Sequence, residues 1–145
     1  MATTTATISL GSADMLSQAI SLSSTMTLYK HNTESTGLEQ MNYHRALIPT
    51  GTNFDLIPES AALNLQANYV YIVNKNTDVT DYATISINSE VIGSLYAGDW
   101  MFIPWSCFHT GATADSSIEV EANTHDCIIE YALFHSGETL LTSSD

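Results

Sequence analysis

Positive charge is almost missing from this chain of 145 residues: three Lys and Arg stand against sixteen Asp and Glu, giving a formal net charge of −13. Lys30, Arg45 and Lys75 are isolated from one another along the sequence. Neutralising a phosphate backbone needs clustered cations, so neither nucleic acid nor an anionic membrane is expected as a partner. Cysteine is scarce too. Cys107 and Cys127 make no disulfide framework and no Cys-x-x-Cys pair, and free, buried thiols are expected. No run approaches the roughly 20 apolar residues of a membrane span, and the start has neither the basic nor the apolar segment of a secretory signal. The expectation is therefore a protein made in a cytosol. Also missing are a long apolar pattern of period 3.6, a fixed-length repeat, a linker, a Gly-rich phosphate loop and a Gly-x-Ser-x-Gly elbow. These gaps argue against a helical protein, a two-domain chain and the commonest nucleotide or hydrolase chemistry.

What is present is sheet-forming. With 44% hydrophobic and 13% charged residues and a mean hydropathy of +0.03, the composition is that of a folded domain, kept soluble by its acid. Ile8 and Leu10 alternate at the end of a Thr-rich start, and Ile20, Leu22, Ser24, Met26 and Leu28 alternate again, so one side of that second strand is expected against a core. Tyr43, Arg45 and Leu47 interleave with His44, Ala46 and Ile48 before Pro49-Thr50-Gly51 turns the chain. Phe54 to Ile57 is a short strand ended by Pro58, after which a helical turn to Leu65 fits. Tyr69–Asn74 and Tyr82–Ile87, separated by the turn formers Asn76, Thr77 and Asp78, read as a β-hairpin. Strands follow at 91–96, 100–104, 117–121 and 127–134, separated by turns at 88–89, 97–99, 111–116 and 123–126. About eight strands with little helix predict an antiparallel β-sandwich of jelly-roll type. The expected division is an extended arm or edge strand at 1–10, a sandwich at 11–136 and a tail at 137–145.

Residues that carry chemistry are few. His109, His125 and His135 sit on separate segments, and Glu119 and Glu121 fall on one face of a strand as solubilising charge. Trp100, Trp105, Tyr69, Tyr71, Tyr82 and Tyr96 are candidates for an aromatic platform, with cross-strand packing as the simpler use. Trp100 and Trp105 are the contact residues selected from this set. The segment from Gly98 through Pro104 to His109 resembles the second motif of the cupins, in which the His is a metal ligand. Ser106 replaces that motif's second Gly, and the earlier His-x-His motif is missing. A single ligand does not make a metal site, so the resemblance implies a jelly-roll turn and strand without metal or cofactor.

A wider resemblance rests on the Thr-rich start ending in Ile8-Ser9-Leu10, the run from Ser35 to Gln40, Tyr69-Val70-Tyr71-Ile72-Val73-Asn74, and Ile92 through Gly98-Asp99-Trp100. Together these look like small virion structural proteins of tailed bacteriophages, particularly aquatic ones. The resemblance implies a non-enzymatic capsid decoration or cement protein without a cofactor. Such a protein would be made in the host bacterial cytoplasm, located in the virion, and bound to the major capsid protein or other virion proteins as a homo-oligomer, a trimer being the expected form. Thr3, Thr4, Thr5, Thr7, Ile8 and Leu10 would form the assembly arm onto a neighbour. The alternatives are a carbohydrate-binding or host-adhesion module and, behind it, a cupin-like metalloenzyme.

Overall fold

The computed structural model describes residues 4–14, 20–29, 37–38, 40–58, 67–105 and 117–135. β-Branched and aromatic residues at alternating positions, cut by Gly, Pro, Asn and Asp, give ten strands and no helix among the described residues. They are β1 (Thr4–Ser12), β2 (Ile20–Leu28), β3 (Gln40–Ile48), β4 (Asn53–Ile57), β5 (Ala67–Asn74), β6 (Tyr82–Ile87), β7 (Glu90–Tyr96), β8 (Trp100–Pro104), β9 (Ile118–Ala122) and β10 (Cys127–His135).

β3 to β10 form two four-stranded antiparallel sheets, ordered β3-β10-β5-β8 and β4-β9-β6-β7. The chain passes from one sheet to the other at almost every connection. This is the jelly-roll order, so the eight expected strands are those of the sandwich, and a separate two-stranded sheet of β1 and β2 raises the total to ten. β6 and β7 are the one sequential pair that stays within a sheet. Their two-residue turn puts both Asn88 (φ 54°) and Ser89 (φ 61°) in the left-handed region, the geometry that matches strand twist. At Pro49-Thr50-Gly51, Gly51 adopts φ 70° and its N–H donates to the Ala122 carbonyl of the opposite sheet at 2.9 Å.

One expectation is overturned. β5 and β6 are not hairpin partners: β5 lies between β10 and β8, and β6 between β9 and β7. The connecting loop is a crossover whose bonds lead away from its own strands. Lys75 N–H donates to Ile128 O at 2.8 Å, and Asn76 Oδ1 accepts from Ile128 N at 2.9 Å. Both β5 and β6 are thereby pinned inside sheets, with apolar neighbours on either flank.

The inner faces meet in a single core. Ile48, Val70, Ile72, Ile129 and Leu133 come from the first sheet, and Leu56, Ala83, Ile85, Ile118 and Val120 from the second. Each such side chain fully withdrawn from water contributes about 1.5–3 kcal/mol before entropy is counted.

β1 and β2 pair residue by residue from Thr4↔Leu28 to Ser12↔Ile20. The segment expected as an arm is thus one strand of a hairpin that runs past residue 10. Of the second alternation, Leu28 is buried, but Leu22 is 58% exposed and Met26 is exposed as well, so this strand does not face the sandwich core as expected. Its base is tied down where Thr4 Oγ1 donates to Leu38 O at 2.6 Å and Leu38 N donates to Leu28 O at 2.9 Å. The expected helical turn after Pro58, the turn at 111–116, the tail at 137–145, and Thr3, Cys107 and His109 lie outside the described residues.

Candidate binding surface

Period-two alternation sends every second residue of the β3-β10-β5-β8 sheet away from the core. On β3 these are Met41, Tyr43, Arg45 and Leu47; on β10, Ile128, Glu130, Ala132 and Phe134. On β5 they are Tyr69, Tyr71 and Val73, and on β8 Trp100, Phe102 and Pro104. The registers Tyr43↔Ala132↔Tyr71↔Phe102 and Arg45↔Glu130↔Val73↔Trp100 line these up as rows across the sheet. Trp100 is 54% exposed and Leu47 61%, and Met41 and Tyr43 are exposed with them. The small Ala132 is buried between its tyrosine neighbours. Aromatic rings pack diagonally. Tyr69 stacks on Phe102 at 5.5 Å and an interplanar angle of 8°, Tyr71 leans on Trp100 at 6.3 Å, and Phe134 meets the same Phe102 edge-on at 5.9 Å.

The charge on this face is one pair. Arg45 Nε lies 3.9 Å from Glu130 Oε1, and the Tyr43 hydroxyl donates to the same carboxylate. The hydrogen bond to Glu130, helped by desolvation, pushes the Tyr43 phenol above its ordinary value, so it stays a protonated donor. The face is therefore aromatic and apolar with no net charge, on a chain carrying −13.

The loop end of the sandwich gathers the polar residues. Asp81, buried, accepts from Asn76 Nδ2 at 2.8 Å and lies 2.7 Å from His125 Nδ1, and this hydrogen bond raises the His125 pKa. Asn74, fully buried on β5, donates to Leu95 O at 3.0 Å and so bridges the two sheets. Thr50 donates through both its N–H and its hydroxyl to Asp126 Oδ1, which lowers the Asp126 pKa. Cys127, His125 and Asp81 are the ingredients of a nucleophile triad, yet the geometry is different. The Cys127 thiol points to the His125 backbone carbonyl at 3.5 Å, and desolvation pushes its pKa up. A buried, protonated thiol that does not engage the imidazole is a structural cysteine, and the network holds the crossovers in place.

The residues selected from sequence separate. Trp100 stands on the exposed face, whereas Trp105, 4% exposed, is packed into the core and presents no contact surface. Trp105 fails as a contact residue because the chain leaves β8 there and turns inward. Tyr82 and Tyr96 stack on each other at 5.1 Å on the other sheet. Thr4, Thr5, Thr7, Ile8 and Leu10 are all on β1. Tyr43, Leu47, Phe102 and Phe134 were not singled out. Their signal was the near-continuous apolar run of β5, β8 and β10, which leaves no polar face for water. Gly98, with φ 84°, and Asp99, whose carboxylate accepts from Tyr96 N at 3.0 Å, form the expected tight turn. Among the described residues, no three His, Cys, Asp or Glu side chains gather as a metal-binding group. Comparison with protein-family models finds no match. Comparison with curated proteins finds none either.

Proposed function

We propose that this chain is a non-enzymatic structural binding module of a virus particle, a decoration or cement-like protein that attaches through the outer face of its β3-β10-β5-β8 sheet. The observation that carries the reading is that face: Tyr43, Tyr71, Trp100 and Phe102 surround a single ion pair, on a sheet whose other side already supplies the core. Aromatic residues with an Arg among them are the composition of interface anchors, and a neutral patch lets an acidic protein approach a partner without repulsion. The resemblance to tailed-phage structural proteins supplies the partner class, the major capsid protein or another virion protein. The remaining acid keeps the protein soluble and away from packaged nucleic acid.

Cosedimentation with purified phage heads and, separately, tails tests the proposal. Wild-type protein is expected to pellet with heads, and Trp100→Ala to bind at least about 30-fold more weakly, the cost of losing a hot-spot side chain. Undiminished occupancy by both Trp100→Ala and Tyr71→Ala removes this face from the proposal.

A second reading is favoured by the flat Tyr69–Phe102 stack beside Tyr71 and Trp100, since sugar rings pack on such aromatic surfaces. Glycan-array binding that disappears in Trp100→Ala, with no retention on heads, makes the module a carbohydrate-binding or host-adhesion domain.

A further inference from the structure

The β1-β2 hairpin has two unlike faces. Its register puts Ala6, Ile8, Leu10, Leu22 and Met26 on one side, and Thr5, Thr7, Ser9, Ser23 and Thr25 on the other. The polar side is closed across the strands, with Thr7 and Thr25 hydroxyls 2.8 Å apart. On the apolar side Ile8, Leu10, Leu22 and Met26 are exposed, and Ile8, Leu10 and Leu22 line an open concavity of about 300 Å³. A two-stranded ribbon with both faces in water is marginally stable, so this apolar side lacks the layer that a sheet of this kind packs against.

Charge selects the occupant. Residues 4–13 and 20–28 contain no Asp, Glu, Lys or Arg, in a chain whose net charge is −13. Two copies brought together through their bodies would set acid against acid. Strands of nine residues each extend about 30 Å. Contact along such a ribbon keeps much of the acid farther apart than the screening length of about 8 Å at physiological ionic strength.

We infer that the apolar face of the hairpin is a self-association surface that packs against the same face of a second copy, making a small sandwich of hairpins with Ile8, Leu10, Leu22 and Met26 inside. A second copy is the partner whose strip matches this one in length, neutrality and apolar pattern, which is what an isologous contact requires. Nothing in this step uses the aromatic face, which stays free for the partner proposed above.

The test is the molar mass of the full-length protein by light scattering over a dilution series. Wild type is expected to run as an oligomer, its mass giving the number of hairpins joined. Leu22→Glu is expected to run as a monomer with the far-UV spectrum and melting of the sandwich intact, whereas Ser9→Glu, on the polar side, stays oligomeric. Should Leu22→Glu fail to fold, oxidised Leu10→Cys read on a non-reducing gel takes its place. Disulfide-linked dimers from Leu10→Cys and none from Ser9→Cys support the inference. A monomeric wild type overturns it, as does dissociation by both Glu variants or by neither. Trp100→Ala leaves the oligomer unchanged, so loss of partner binding and loss of self-association are read apart.

Discussion

The two sheets of this sandwich have similar inner faces and opposite outer ones. Outside, β4-β9-β6-β7 presents Asn53, Asp55, Thr84, Ser86, Ser94, Glu119 and Glu121, hydrogen-bonded among themselves by contacts such as Asn53 Nδ2 to Glu119 at 3.0 Å and Asn123 Nδ2 to Thr84 at 2.8 Å. The β3-β10-β5-β8 sheet presents Tyr43, Leu47, Tyr71, Trp100 and Phe102. Folding requires only the inner faces to be apolar, and the acidic sheet demonstrates that the outer one can be polar in the same molecule. The aromatic outer face is therefore not explained by the fold, and contact with another surface explains it.

The largest effect belongs to the shared interior. Ile72→Ala and Ile85→Ala, one on each inner face, are each expected to cost about 2–5 kcal/mol in denaturant unfolding, since both leave a cavity in one core. A large loss at one and none at the other would mean that the sheets do not unfold together. On the outside the faces should part. Trp100→Ala is expected to change stability by about 1 kcal/mol or less while binding to the partner falls by at least about 30-fold. At the loop end that joins the sheets, Asp81→Ala strips partners from Asn76 and His125 and is expected to cost about 1–3 kcal/mol in thermal or chemical unfolding.

The pH dependence of stability at that end has two arms. His125 has a raised pKa, chiefly through its hydrogen bond to Asp81, so its contribution is complete below the ordinary value of 6.5 and is lost as pH rises through the folded-state value. Asp126 and Asp78 have lowered pKa values, chiefly through backbone hydrogen bonds from Thr50 and Thr80. Their contributions are complete above 3.8 and are lost as pH falls through the folded-state values. Melting temperature should therefore peak between these limits, and His125→Gln should flatten the alkaline arm alone. All three side chains are well solvated, so the changes are small. The smallest effect is expected on the acidic outer face, where Glu121→Gln should alter stability by no more than about 0.5 kcal/mol and leave partner binding unchanged.

Much of this was legible in the chain. Strands at 43–48, 54–57, 69–74, 82–87, 91–96, 100–104 and 127–134 follow from alternation and turn residues, and the jelly-roll class follows from their number. Three readings were out of reach of local pattern. The link from β5 to β6 has the composition of a hairpin turn, and only the bonds of Lys75 and Asn76 to Ile128 make it a crossover. Trp100 and Trp105 are five positions apart with similar surroundings in sequence, and the inward bend after β8 decides that one is exposed and the other buried. Leu22 and Leu28 share one alternation, and pairing with β1 leaves the first in water while burying the second.

The sequence by itself determined that this would be an acidic, all-β protein with strands of known place, because periodicity and turn preference act over a few residues. It also determined that three strands would be apolar on both sides. The tertiary structure alone decided which strands neighbour one another, which side of each faces the core, and hence where the uncovered apolar surface lies. Those outcomes depend on contacts between residues tens of positions apart, and no local preference encodes them.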